Sequence, residues 1–353
     1  MTENKILSYQ QQYANILDKL INEPHKKIGS RIGNVRSRFH ETIRVDLEKE
    51  FPLMDIKWIK FSNILHEVLW FLRGGTNIKY LLENGCNIWN KDAYRYFKEK
   101  YPKHEIQNLR EFKENVLKGK KIHHLFKKNY KFGDMDRIYG FQWRKFNNST
   151  DQIKNCIKLL KKDPDNRRIL VTGHNPNDIE KGIVGLPSCH NFYQFYTVPM
   201  TREERLKYVP KKLVKILSEE DLDFLEIPKR YINVWFNIRS NDWGLGQPYN
   251  IPSYSILLKI IGKLVNMVPK EVSCSVIDCH LYEKHLDGGL EWLNRYYKLI
   301  ENNTDKNEIP NLTYCKSKLK IMNGSYNSIE DFEFNDFEFN DFELKISKLK
   351  YFY

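Results

Sequence analysis

The first helix is legible in the spacing of apolar side chains. Ile6, Tyr9, Tyr13, Ile16, Leu17 and Leu20 recur at helical intervals, and Pro24 stops the run. The segment IGSRIGNVRSRF then reads as a loop entering a strand, because Gly29 and Gly33 break the helical period and RFHETIRVDL alternates. Over residues 62–72, Ile64, Leu65, Val68, Leu69, Phe71 and Leu72 predict a strongly buried helix with one carboxylate, Glu67, among apolar neighbours. Residues 90–137 are polar, lysine-rich and aromatic, with no sustained period except a helix near 109–117, and read as an insertion. A helix at 151–161, a strand RRILVTGHN, a turn at 175–178 and an apolar strand CHNFYQFYTV follow. A second charged insertion, 199–231, interrupts the sheet before YINVWFNIRS resumes it. PSYSILLKIIGKLVNMV is apolar all round, which predicts a central buried helix.

Near the C-terminus DFEFN occurs twice and is followed by DFELK. A five-residue period suits neither helix nor strand, and Phe332 and Phe337 would face opposite sides of a sheet. It reads as a local duplication at the end of a strand, within an atypical tail over residues 331–353.

With 353 residues, 41% of them hydrophobic, the chain can bury a large core, which excludes a disordered protein. The net charge of +13 favours anionic partners but does not choose among nucleotide, cofactor tail, nucleic acid and membrane, and much of the excess reads as a solvated lysine surface. Six scattered cysteines form neither C-x-x-C zinc pairs nor a disulfide framework, so reduced thiols in a cytoplasmic enzyme without a metal fit best. No leader and no membrane span is readable.

Candidate chemistry centres on Cys189 in GLPSCHNFYQFY, a thiol at a proline-containing turn leading into an aromatic strand. By itself such a cysteine is most often inert packing. His190 is its neighbour, but successive strand residues point to opposite faces, so a thiolate would depend on cations instead. Arg31, the Arg167 and Arg168 pair and Arg239 are available, although each alone reads as a surface residue.

Six ordered stretches, FPLMDIKWIKFSNILHEVLWFLRGGTNIKYLLENGCNIW, IYGFQWRKF, DNRRILVTGHNPNDI, LPSCHNFYQFY, RSNDWGLGQPYNIPSYSILL and DCHLYEKH, resemble the motifs of the thymidylate synthase family. The resemblance implies one mixed α/β (α+β) domain over residues 1–353, with a large sheet packed against that of a second subunit and flanking helices. It implies methylation of dUMP to dTMP with 5,10-methylenetetrahydrofolate. Cys189 would attack C6 of the uracil ring, so that C5 becomes nucleophilic.

Arg31, Arg239 and, from the partner subunit of a homodimer, Arg167 and Arg168 resemble the cluster that holds the 5′-phosphate. Asn250 resembles the reader of the pyrimidine edge, Glu67 the general acid/base and Tyr139 the tyrosine tied to loss of the C5 proton. Ser240 and Gln194 fall at positions lining the nucleotide, His280 and Tyr282 at those binding the ribose, and His190 in a supporting polar network. Ile88, Trp89, Asp242 and Gly246 match positions around the folate, with Asp242 also counted as catalytic. Read without the family, Asn250 would be a turn cap, His280 and Tyr282 core, and Ile88 and Trp89 packing.

The chain departs from the family pattern in its ending FELKISKLKYFY and at Ile32, Val35, Asn90, His174, Ile238 and Lys284. Those departures keep two further readings in play. One is hydroxymethylation of dUMP, in which water captures the exocyclic methylene. The other is a non-catalytic nucleotide or RNA binder, for which nucleic acid is a possible but unrequired partner.

Overall fold

A computed structural model describes residues 6–30, 33–123, 129–301, 313–322 and 324–340. Helix α1 (Tyr9–Asn22) starts where Ser8 Oγ accepts the N–H of Gln11, and it buries Tyr9, Tyr13, Leu17 and Leu20. Strands β1 (His25–Ser30) and β2 (Gly33–Asp46) form an antiparallel hairpin. The glycines expected to make a loop into a strand therefore lie in and after a strand of their own, and Gly33 carries the positive φ of 121° at the turn.

The buried helix α2 (Phe61–Leu72) is followed by the short α3 (Lys79–Glu83) and by α4 (Asn90–Lys100). Only one helix, near 109–117, was legible in the first insertion. That helix is present as α5 (Leu109–Leu117), but α4 was missed because only Ala93, Tyr96 and Phe97 of its later turns are buried, too narrow a stripe to set a period. The two-residue strands β3 (Lys121–Ile122) and β4 (Tyr130–Lys131) close the segment.

Helices α6 (Tyr139–Lys145) and α7 (Gln152–Lys162) precede the short β5 (Leu170–Thr172), and the expected turn at 175–178 is the start of α8 (Pro176–Glu180). Asn175 caps α8 through the N–H of Asp178, and Pro176 opens it, so turn chemistry and helix start coincide. Strand β6 (His190–Pro199) joins β7 (Arg230–Asp242) across α9 (Arg202–Leu206) and α10 (Glu219–Phe224), which share a small core of Leu206, Val209 and Leu222. Helix α11 (Gln247–Val265) is buried on nearly every side and ends at Asn266, whose φ of 52° is left-handed. Strand β8 (Val268–Tyr282) and helix α12 (Leu286–Glu301) follow.

Six strands make one mixed sheet in the order β1-β2-β8-β7-β6-β5. All pairs are antiparallel except β7 with β8, which run parallel because α11 carries the chain back between them. Consequently the end of β7, the end of β8 and the start of the antiparallel β6 meet at one edge of the sheet. Residues from α1, α2, α6, α7, α11, α12 and the sheet share one apolar core.

Strand β9 (Lys318–Ile321) pairs with β10 (Phe337–Asn340) and lays the duplicated segment on α2. Phe339 stacks on Phe61 with ring centroids 4.0 Å apart, and Phe334 stacks on His66 at 4.5 Å. Both Phe332 and Phe337 are buried and lie 6.3 Å apart, so the segment is not the continuous strand whose period would set them on opposite faces. The reason is the 3-10 turn Phe334–Asp336 between them, which breaks the strand period.

Candidate active site

Cys189 stands one residue before β6, partly exposed, where the strand's first pairings bind it to β7. Its carbonyl accepts the N–H of Arg239 at 2.9 Å. The Arg239 guanidinium folds back onto the same turn, with Nε donating to the Ser188 carbonyl at 2.9 Å and Nη2 to that of Pro187 at 3.3 Å. From the other side, the Tyr139 hydroxyl at the start of α6 accepts the N–H of Cys189 at 2.7 Å. The thiol is thus partly exposed on a turn whose carbonyls carry a guanidinium.

Glu67 lies on α2. The residue retains some surface, but its carboxyl is enclosed, and burial pushes it up to about 7 against the opposing effect of its bond from Trp89. That bond, from indole Nε1–H to Oε1, measures 2.6 Å. A carboxyl titrating near neutrality can both give and take a proton. Glu67 and His190 line one small cavity together with Phe71, Trp143, Ser253 and Tyr254. Burial holds the His190 imidazole down to about 4, so it is neutral at pH 7, and its Nδ1 sits 3.3 Å from the Tyr254 hydroxyl.

The start of α11 adds Asn250, which donates from Nδ2 to Asn241 Oδ1 at 3.1 Å and also bonds His190. Gly246 precedes that helix, and a Cβ there would fall 2.8 Å from Asn241 Oδ1. Asp242 Oδ1 accepts the N–H groups of Gly244 at 2.8 Å and Leu245 at 3.2 Å, while Oδ2 lies 4.0 Å from His285 Nδ1. Because β7 and β8 are parallel, Ser240 pairs with Asp278 and Asp242 with His280, which brings His280 and Tyr282 to the same edge. His280 is buried, 5.2 Å ring to ring from Tyr282. Trp89 is buried, while Ile88 beside it is 39% exposed.

Three sequence-derived candidates do not join this group within one chain. Gln194 is five positions along β6 from Cys189 and donates to the Arg167 carbonyl at 3.3 Å. Arg167 and Arg168 are exposed ahead of β5, whose Leu170 pairs with Gln194, so they sit roughly 20 Å along the sheet from Cys189 at strand rise. Arg31 lies outside the described residues.

Other neighbours had no legible signal. Lys57 is buried, donates to the Gly244 carbonyl at 2.5 Å and is lowered to about 8 by burial, with Asp242 opposing the shift. A lysine in an apolar stretch gives no pattern to read, and Asn241 and Gln247 lie within RSNDWGLGQPYN with no local feature that sets them apart.

These features bring together a partly exposed cysteine, an enclosed carboxyl that titrates near neutrality and a small, mostly apolar cavity where β6, β7 and β8 meet, as in an enzyme active site. The family model described as Thymidylate synthase matches residues 11–351. The chain is 36% identical over 301 residues to the thymidylate synthase of Mycoplasma mobile, covering 84% of this chain and 91% of that protein. It is 33% identical to that of Mycoplasma genitalium, covering 78% and 82%, and 34% identical to that of Mycoplasma pneumoniae, covering 70% and 73%.

This chain belongs to the thymidylate synthase family, and it is a methyltransferase of dTMP formation. The hydroxymethylating and non-catalytic readings are not favoured. The family binds dUMP and uses methylenetetrahydrofolate as cosubstrate. No helix among the described residues is long and apolar enough to cross a membrane.

Proposed function

We propose that this chain methylates C5 of dUMP through a covalent bond between Cys189 Sγ and C6, with 5,10-methylenetetrahydrofolate as the one-carbon donor. The observation that carries the reading is the meeting of Cys189, Arg239 and Tyr139 at the start of β6.

Sγ adds to C6, and the electron pair of the 5,6 double bond moves onto C5 and O4. Arg239 favours the thiolate that begins this step. Glu67, enclosed and near 7, holds a proton toward O4 while the charge develops and takes it back when the ring reforms. C5 then bonds to the donor's one-carbon unit. Loss of the C5 proton beside Tyr139 expels the folate nitrogen and leaves an exocyclic methylene on C5. Hydride addition to that methylene, with departure of Sγ from C6, restores the double bond. The folate supplies the carbon and the hydride that completes the methyl group. Buried Trp89, exposed apolar Ile88, the Asp242 carboxylate and the close approach allowed by Gly246 suit a flat, hydrogen-bonding ring.

Asn250 reads the pyrimidine, His280 and Tyr282 hold the ribose, Ser240 lines the nucleotide, and Arg239 and Arg31 bind the phosphate. The distance of Arg167, Arg168 and Gln194 from Cys189 in one chain supports a homodimer in which these residues serve a second copy's site. The exposed apolar face of the sheet, with Phe39 at 77% and Tyr196 at 67%, supports the same partner. The remaining features fit one cytoplasmic domain carrying insertions at 90–137 and 199–231.

Incubating dUMP with methylenetetrahydrofolate should give thymidylate and dihydrofolate, seen as an absorbance rise and by mass. Recovery of dUMP unchanged would overturn the reading.

A further inference from the structure

Gln247, Asn241 and Asn250 form a line of three side-chain amides at the junction of β7 and α11, and the line has a direction. Asn250 Nδ2 donates to Asn241 Oδ1 at 3.1 Å, and Asn241 Nδ2 donates to Gln247 Oε1. Asn241 and Gln247 are both buried. Turning the Asn250 amide over would set its oxygen against the Asn241 oxygen, so the chain of bonds fixes which end of Asn250 faces outward. The line is closely fitted, since a Cβ on Gly246 would meet both Asn241 Oδ1 at 2.8 Å and Asn250 Nδ2 at 3.7 Å.

Beyond its bonds to Asn241 and His190, Asn250 still offers a lone pair on Oδ1 and its second N–H. Uracil presents an N–H at N3 and an acceptor at O4. Cytosine presents the reverse, an acceptor at N3 and an amino donor at C4. An amide held with Oδ1 toward N3 therefore matches uracil and opposes cytosine, and a freely turning amide would match either.

We propose that Asn241 is a specificity-determining positioning residue: by accepting from Asn250 Nδ2, it holds the Asn250 amide in the orientation that selects uracil over cytosine. The proposal rests on the reading of Asn250 as the group that meets the base. Asn241 touches neither base nor cofactor in this role and acts through its neighbour.

The test uses the full chain with Asn241→Leu, which keeps the volume and removes the acceptor, and Asn241→Asp, which keeps the acceptor. In the aspartate variant Gln247 Nε2, a buried nitrogen without a partner among the described residues, is available to donate to the second carboxylate oxygen. The readouts are the Kd values for dUMP and dCMP by calorimetry, kcat/KM for dUMP, and the melting temperature. Asn241→Leu should lower kcat/KM for dUMP about 10-fold or more and shrink the dCMP-to-dUMP ratio of Kd by a similar factor, the worth of one well-placed hydrogen bond. Asn241→Asp should keep that ratio within about threefold of wild type.

An unchanged ratio in Asn241→Leu, or equal loss in both variants, would overturn the proposal. Should the leucine variant not fold, Asn241→Ala, which also lacks the acceptor, carries the same comparison. Failure of the wild-type protein to bind dUMP would instead remove the reaction reading, and it is seen before any variant is made.

Discussion

The Tyr139 hydroxyl accepts two successive backbone N–H groups, from Cys189 at 2.7 Å and from His190 at 3.4 Å. One side chain thereby fixes the main chain of the proposed nucleophile and the first residue of β6. Tyr139→Phe keeps the ring against Phe71, 5.1 Å away, and His190, 5.4 Å away, but strands both donors. Turnover should fall about 10- to 100-fold, the cost of one to two lost buried hydrogen bonds. Melting should fall by roughly a few degrees as well, because stranding both donors costs the fold. Steady-state rates within twofold of wild type would show that the hydroxyl is dispensable.

Cys189 should be trapped by 5-fluoro-dUMP with methylenetetrahydrofolate. The fluorine on C5 cannot leave as a proton does, so the reaction stalls with C6 bonded to Sγ. Intact-mass measurement should show the nucleotide and folate masses added to wild-type protein and no adduct on Cys189→Ala. An adduct on the alanine variant would place the nucleophile elsewhere.

Glu67 carries a pH signature in stability. Its carboxyl ionises near 7 in the folded protein, because it is buried, and at its ordinary value of about 4.5 when unfolded. The folded state therefore holds its proton more tightly. The associated stability is fully present below pH 4.5 and is lost as pH rises through 7. Glu67→Gln removes that slope, so relative to wild type it should gain on the order of 2 kcal/mol between pH 5 and pH 8.5. Glu50, which burial also raises to about 7, titrates in both proteins and cancels in the difference. Denaturant unfolding at the two pH values reads the effect; parallel curves would mean that Glu67 is ionised at neutrality. Activity of Glu67→Gln should fall at least 100-fold, the loss of one general acid/base.

The shared phosphate site predicts complementation. Arg168→Ala and Cys189→Ala proteins should each be inactive, and mixing them after subunit exchange should restore activity, since one site per mixed dimer holds both native residues. For equal amounts, half the dimers are mixed and each has one working site, so recovery should approach about one quarter of wild type on random exchange. Proven exchange without activity would mean that each chain builds its site alone.

Trp89 both bonds Glu67 and stands against Tyr139, with ring centroids 6.3 Å apart. Trp89→Gly should open the pocket to water and move product from thymidylate toward 5-hydroxymethyl-dUMP. Mass analysis of the nucleotide pool measures the partition. A product mixture identical to wild type would remove the indole from the role of shield.

The sequence made legible the elements whose period was unbroken. Ile64, Leu65, Val68 and Leu69 announced α2, and the apolar run from Ser253 announced α11, because a wide buried stripe is a strong periodic signal. Helix α4 was invisible because its stripe is three residues wide, and β1 because a histidine, two lysines and a glycine mask a strand at a sheet edge. The site divided in the same way. Cys189, Tyr139 and Asn250 stand in short fixed stretches and were readable there. Lys57, Asn241 and Gln247 acquire meaning only when parallel β7 and β8 bring distant segments to one edge, and no local pattern encodes that meeting.

The sheet order also sets a timetable for the molecule. Strand β2 borders β1 on one side and β8 on the other, pairing Val35 with Tyr282 and Ser37 with His280. During synthesis β2 emerges early and waits for a neighbour made near the end of the chain. Contacts of such long separation close slowly, and an unpaired strand edge invites the wrong partner meanwhile. The residues proposed to hold the ribose, on β8, are thus made after those of β6 and β7. A ribosome-bound chain stopped before β8 would have its cysteine, its buried acid and Tyr139, yet no place to seat a nucleotide.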